Sequence, residues 1–127
     1  MNVKSHEEVW VKVNASVDRG IAPVVALLNE IDGLQTLDSC QGTPGEKPAH
    51  VYFHYGDWKC IGHFVFEVLA PKLALEASDI GTASVEVFNG SIPMGKLSFE
   101  PEATEVVASV LNVIVHERAG SRSKWLM

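Results

Sequence analysis

The spacing of apolar residues changes twice within the first forty positions, and this change constrains the fold more than any other feature. Over residues 9–15 the small apolar residues alternate with Trp10, Lys12 and Asn14, a period of two that predicts a half-buried strand. Over residues 17–31 the apolar residues recur at intervals of three and four, which predicts a helix. Residues 34–39 then predict a second strand. A strand, helix and strand over this length favour two parallel strands joined by a crossover.

Local signals set the limits of the first helix. Asp18 is expected to cap its start, and Gly33 is expected to end it. Pro23 falls in the first turn, where proline is tolerated. These signals therefore support a helix between the two strands.

A loop and a third strand follow the first unit. Residues 40–48 contain two glycines and two prolines, so regular structure is not expected there. Residues 51–55 alternate in polarity and predict a strand antiparallel to the second, because the loop is too short for a crossover. A second helix is predicted from Lys59, and Pro71 is expected to kink or end it.

The last part of the chain predicts two more strands and a helix. The strands lie around residues 83–87 and 97–99, with a turn at the Asn89-Gly90 pair. Pro101 suits the first turn of the last helix, and Gly120 is expected to end it. The order β-α-β-β-α-β-β-α predicts the α+β class, with helices layered on one mixed sheet.

Length and composition favour a single domain over residues 1–127. The chain has 46% hydrophobic and 20% charged residues, which suffices for one core without metal or disulfide. Residues 120–127 are expected to form a loosely held tail. Docking of Trp125 and Leu126 onto a second copy, which would make a homo-oligomer, is an open alternative.

Charge, apolar runs and cysteine content indicate what the protein can bind and where it is located. Ten Lys and Arg residues against sixteen Asp and Glu residues give a net charge of -6, which opposes binding to nucleic acid. Neither a secretory signal nor an apolar run long enough to span a membrane is recognised, so no membrane association and a cytoplasmic location are expected. In that compartment Cys40 and Cys60 are expected to be free thiols.

Polar residues are expected to converge at one edge of the predicted sheet. The carboxyl ends of two parallel strands meet at the same edge, where the first helix also begins and the third strand starts. Ligands bind outside the carboxyl ends of such strands. We therefore expect a ligand-binding or enzymatic site at this edge, formed by Asp18, Ser39, Cys40, Gln41 and His50.

The residues of this edge also have simpler interpretations. Cys40 is a candidate nucleophile if His50 or a helix N-terminus lowers its pKa, but a cysteine is more often a small buried apolar residue. Asp18 is first a helix cap, and the turn from Ser39 to Gln41 could be a structural corner. Under that alternative the chain is a non-catalytic interaction or oligomerising domain.

Two other groups of residues have weak metal-binding patterns. Cys60, His63 and Glu67 follow helical spacing without a recognised zinc motif, so a polar helix flank is the favoured interpretation. His50, Tyr52 and His54 share one strand face, which could form a metal-binding or pH-sensing surface but is more often simply solvated. We therefore expect no metal site.

Part of the N-terminal third resembles a known family. The residues concerned are Asp18, Ile21, Leu28, Asn29, Thr36, Ser39, Cys40 and Gly42. They are similar to the N-terminal signature of the tRNA wybutosine-synthesizing protein 3 family, whose members carry a Thr-Ser-Ser-Cys-Ser-Gly-Arg type of motif after a helix. This sequence departs from that motif at Asp38, Gln41 and Thr43. The resemblance implies a related fold and an S-adenosylmethionine-dependent methyltransferase acting on a modified tRNA guanosine. No other cofactor is indicated.

Overall fold

From the first helix onward, the strands and helices follow one another in the order that the two apolar periods predict. The computed structural model describes residues 8–10, 16–77, 81–87 and 92–125. Its elements are β1 (Glu8–Trp10), β2 (Ser16–Asp18), α1 (Ala22–Asn29), β3 (Leu34–Cys40), β4 (Ala49–Tyr55), α2 (Trp58–His63), a π-helical segment (Phe64–Leu69), α3 (Ala70–Ala77), β5 (Gly81–Glu86), β6 (Met94–Phe99) and α4 (Thr104–Trp125). The predicted α+β class is confirmed.

Four strands form one sheet in the order β3-β4-β6-β5. Every pair of neighbouring strands in it is antiparallel. Val51 and Phe53 of β4 and Leu97 of β6 are fully buried and share one core with residues of all the helices. The intervening residues of these strands are half-buried on the opposite face of the sheet. The sheet therefore has a helix-covered apolar face and a polar face.

The expected parallel pair is wrong. In place of one strand over residues 9–15, β1 and β2 pair with each other as an antiparallel hairpin. The residues between them, 11–15, lie outside the described residues. Because the chain folds back before α1, the strand that precedes α1 pairs with β1 and not with β3. Among the described strands the sheet is thus antiparallel rather than mixed.

Helix α1 is anchored to β3 through one amide side chain. The Asn29 side-chain amide donates to the Val25 carbonyl at 2.9 Å and to the Thr36 hydroxyl at 2.8 Å. Its oxygen accepts the Thr36 backbone N–H at 3.1 Å. These contacts use both the donor and the acceptor of the amide. They fix the position of the start of β3 relative to α1. Because a strand is an extended, regular segment, they also help to fix the position of its end.

The second helical region continues past Pro71, so the expectation that this proline ends the helix is wrong. α2, the π-helical segment and α3 follow one another without a break to Ala77. The Ala70 N–H bonds to the Val65 carbonyl, five residues back. Proline lacks an N–H and collides with the preceding turn of an α-helix. A π-helical segment widens that turn, and Pro71 is the second residue after it.

Helix α4 is longer than the sequence predicts. It continues through Gly120 to Trp125, so the predicted end at Gly120 is wrong. A glycine costs only about 1 kcal/mol relative to alanine inside a helix and does not by itself stop one. Pro101 lies in a short 3-10 turn before α4, as its fixed φ favours. The predicted turn at 89–90 and Leu126 lie outside the described residues.

The core is apolar throughout the described part of the chain. Twenty-one hydrophobic residues, from Ile21 to Ile114, are buried in one cluster, and no polar residue is buried with them. At the C-terminal half of α4, the Arg118 guanidinium donates to the Tyr55 hydroxyl and lies 5.6 Å from the Tyr55 and Phe64 ring centres. None of the described helices combines the length and apolarity that a membrane span requires.

Candidate functional site at the end of strand β3

Asp18 and Gln41 meet at one corner of the molecule and hold two loops together. The Asp18 carboxylate accepts the Gln41 backbone N–H at 3.2 Å, and the Gln41 side-chain oxygen accepts the Gly20 N–H at 2.7 Å. Asp18 makes no side-chain cap bond to the turn that it precedes, so its expected capping role is wrong. Both side chains are instead used to fix the end of β3 against the start of the first helical turn.

The loop after Cys40 turns back sharply and is closed by backbone hydrogen bonds. The Thr43 N–H donates to the Lys47 carbonyl at 2.9 Å, and the Lys47 N–H donates to the Thr43 carbonyl at 3.0 Å. Gly42 is buried with a φ of 72°, a conformation that glycine tolerates best. Its N–H lies 3.4 Å from the Cys40 sulfur and donates to it. The thiol is therefore held by a loop of defined shape.

Cys40 and His50 lie directly opposite each other in the β3-β4 ladder. Directly opposed residues of an antiparallel pair place their side chains on the same face, with Cβ atoms about 4.5–5.5 Å apart. Both side chains are half-buried on the polar face. The expected proximity of these two residues is thus found, although it arises from an antiparallel hairpin and not from a parallel sheet edge.

Ser39 is separated from this pair. It lies opposite Val51, a fully buried residue of the helix-covered face. Successive residues of a strand point to opposite faces, so Ser39 and Cys40 point away from each other. The structure therefore brings together Asp18 with Gln41 and Cys40 with His50, and it leaves Ser39 on the other side of the sheet.

A polar cluster next to His50 was not predicted. The Tyr52 hydroxyl donates to Glu86 at 3.3 Å, and the Lys96 amine lies 3.8 Å from the same carboxylate. Lys96 also lies 5.4 Å from the centre of the Tyr52 ring, and the His50 ring meets Tyr52 edge-on at 5.5 Å. The alternation of β4 did predict that Tyr52 shares the face of His50 and His54. No sequence signal indicates Glu86 or Lys96, which come from β5 and β6.

Burial lowers the pKa of the His50 imidazole below its usual value of 6.5. The negative charge of Asp38 opposes this shift, Lys96 and Lys47 add to it, and Glu86 opposes it. The physical cause is the loss of water around a group that would otherwise be charged. At neutral pH the imidazole is therefore neutral, with one nitrogen free of a proton.

This shift makes stability depend on pH. Between the lowered pKa in the folded protein and the usual value of 6.5, the unfolded chain binds a proton at His50 that the folded chain does not. The free energy of unfolding should therefore fall as the pH decreases through 6.5 toward that lowered pKa. The His50→Gln variant should lack this part of the loss. Urea unfolding across this pH range measures the difference between the two proteins, and parallel curves would contradict the prediction.

The second group of candidate metal residues is exposed and includes one close pair of side chains. His63 and Glu67 lie 3.3 Å apart, with 49% and 69% of their side chains exposed. Cys60 is exposed as well, and its N–H donates to Asp57 at 3.0 Å. Within the part of the chain that the structure describes, no three His, Cys, Asp or Glu residues are grouped so that they could hold a metal ion.

The arrangement of Cys40 and His50 is chemically distinct from the corner beside it. At the corner, the side chains of Asp18 and Gln41 form hydrogen bonds within the protein. The Cys40 thiol and the His50 imidazole instead share a face with the hydroxyl, carboxylate and amine groups of Tyr52, Glu86 and Lys96. Comparison with protein families, with curated proteins and with solved structures finds no match to this chain.

Proposed function

We propose that this domain binds a small ligand on its polar sheet face, at the end of β3 where Cys40 lies opposite His50. The observation that supports the proposal is this register, which places a thiol and an imidazole side by side on a half-buried face. Ligand sites use a few convergent polar groups to fix the orientation of the ligand.

The corner beside the pair would support such a site. Binding geometry is best held by side chains that are themselves fixed by hydrogen bonds. Asp18 and Gln41 provide this support, because their hydrogen bonds hold Gln41, the residue that follows Cys40, against Asp18 and Gly20. We assign them a positioning role, and we assign ligand contact to Cys40 and His50.

A thermal-shift screen tests the proposal. The compounds are S-adenosylmethionine, which the family resemblance implies, together with nucleotides, divalent metal ions and short RNAs. A ligand at one hundred times its Kd stabilises the fold by about 2.7 kcal/mol, which raises the Tm of a chain of this size by roughly 10 °C. We expect His50→Gln and Cys40→Ser to reduce this shift strongly.

Two controls separate binding from stability. His54 lies four residues from His50 on the same strand face, opposite Gln35, so His54→Gln changes an imidazole outside the pair and should keep the ligand shift. Gln41→Ala should lower the Tm without ligand, because it removes the bond to the Gly20 N–H. A ligand shift that stays unchanged in both Cys40→Ser and His50→Gln would place the ligand elsewhere and contradict the proposal.

A further inference from the structure

Strand β5 forms one edge of the sheet, and this edge is built differently from the opposite one. Among the described strands β5 pairs only with β6, so the backbone N–H and C=O groups on its outer side face no strand. Natural sheets protect their edges with bulges, with lysine or proline, or with a covering segment, because an open edge accepts a further strand. The distribution of these features therefore indicates which edge is left open for pairing.

The β3 edge carries such protection. Its register with β4 shifts between Thr36 and Asp38, which marks a bulge, and Asp38 adds a charge there. The residue that follows β3, Gln41, donates its backbone N–H to Asp18 of β2. A strand that is bulged and held at its end offers no regular ladder to a second chain.

The β5 edge is regular and carries little charge. All of its residues, from Gly81 to Glu86, pair with β6 without a shift of register. The strand contains no lysine or proline, and its one charged residue, Glu86, is its last. Ala83 and Val85 pack against the core but are only half-buried, so part of each apolar side chain stays exposed. This strand therefore offers a flat ladder with uncovered apolar groups beside it.

We propose that β5 pairs antiparallel with β5 of a second copy of this chain, about a two-fold axis at Ser84, and so joins two sheets into one. A second copy fits because the strand is complementary to itself in this register. On the polar face Thr82 lies opposite Glu86, and Ser84 lies opposite its own copy. On the helix-covered face Ala83 lies opposite Val85. The two Glu86 carboxylates are four residues apart along the ladder, about 13 Å, so no like charges meet.

The helix that covers β5 leaves room for this partner. Helix α3 lies on the strand, since a Cδ atom of Leu73 is 3.6 Å from the position that a Cβ atom of Gly81 would occupy. Lys72 points toward α4, where it pairs with Glu117 at 3.0 Å. Ala74 is about 200° from Lys72 around the helix, so it faces away from α4, and it is exposed. Its small side chain allows the α3 helices of two copies to approach each other above the joined strands.

The partner subunit also adds a residue to the polar cluster beside His50. Glu86 accepts the Tyr52 hydroxyl at 3.3 Å and lies 3.8 Å from the Lys96 amine. In the joined sheet, Thr82 of the partner subunit lies directly opposite Glu86, with Cβ atoms about 4.5–5.5 Å apart, so its hydroxyl can donate to the carboxylate. The interface thus extends the cluster, and it does not depend on the ligand proposed above.

Sedimentation velocity of the purified protein over a range of concentrations tests the interface. We expect a reversible dimer. Ser84→Glu should raise the dissociation constant of this dimer at least about tenfold, because two carboxylates then meet at the two-fold axis. Within one chain the new carboxylate lies opposite Lys96, which favours the folded subunit. Ser109→Glu, on the exposed side of α4, is the matched control and should dimerise as the wild type does.

Disulfide cross-linking tests the register, and it decides the matter even if Ser84→Glu does not fold. In a background with Cys40→Ser and Cys60→Ser, Ser84→Cys should form a covalent dimer under mild oxidation, because the two thiols meet across the axis. Thr82→Cys is the control, since its two copies lie about 13 Å apart, too far for a disulfide. A monomer at every concentration, a dimer that a folded Ser84→Glu variant leaves intact, or cross-linking at position 84 no greater than at position 82 would overturn the proposal.

Discussion

Gly42→Ala should remove about 3–5 kcal/mol from the free energy of unfolding, enough to unfold many domains of this size. A Cβ atom at this position would lie 2.7 Å from each of three backbone atoms, in Lys47, Pro48 and Ala49. Backbone atoms cannot move aside as the end of a flexible side chain can. The φ of 72° adds strain for any residue with a Cβ. Urea unfolding monitored by circular dichroism measures the loss.

Gly45→Ala is the matched control for this variant. Gly45 has a φ of 77° in the same loop, but a Cβ there would meet no atom within 4 Å. In this variant the free energy of unfolding should therefore fall only by the cost of the positive φ, about 1–2 kcal/mol. The difference between the two variants isolates the steric contact that closes the loop over β4. Equal losses in the two variants would show that this contact does not hold the loop.

Gly95→Ala should destabilise the core by about 3 kcal/mol. Gly95 lies opposite Phe53 in the β4-β6 ladder, and the Phe53 ring lies over it. A Cβ atom would collide with three carbons of that ring, Cζ being the nearest and Cε2 and Cε1 lying at 2.5 Å and 2.9 Å. The ring cannot easily turn away, because it is fully buried and packs edge-on against Phe64 at 5.9 Å. Thermal and urea unfolding both measure this effect.

A double variant shows whether the ring is the cause. Phe53→Leu removes the clashing ring, so the double variant with Gly95→Ala should lose less free energy of unfolding than the sum of the losses in the two single variants. Gly62→Ala is a second control for a glycine-to-alanine change, because no atom lies within 4 Å of a Cβ there and alanine is favoured in a helix. A strictly additive double variant would contradict the assigned contact.

The candidate site was predicted in part, and partly for the wrong reason. The short loop after Cys40 correctly predicted that the next strand returns antiparallel, and this return places His50 opposite Cys40. The contact between Asp18 and Gln41 was expected from a parallel sheet edge that does not form. Ser39 was grouped with Cys40 because both lie at the carboxyl end of the predicted second strand, yet strand alternation directs them to opposite faces.

Local pattern determined the class of this fold. Periods of two and of three to four set the order of strands and helices, and the shortness of the loop before β4 set one antiparallel pair. These features depend on neighbours within a few residues. The amino-acid sequence therefore determined, without any structure, where apolar surface must be buried and which elements bury it.

The tertiary structure alone decided which distant elements pair. Packing against the rest of the chain decides that β1 and β2 form an antiparallel pair instead of one strand. It also decides that the second helical region continues past Pro71. The same holds for the cluster of Tyr52, Glu86 and Lys96, which come from three strands. Contacts between elements far apart in sequence carry no local periodicity, because their free energy arises only when the core brings the elements together.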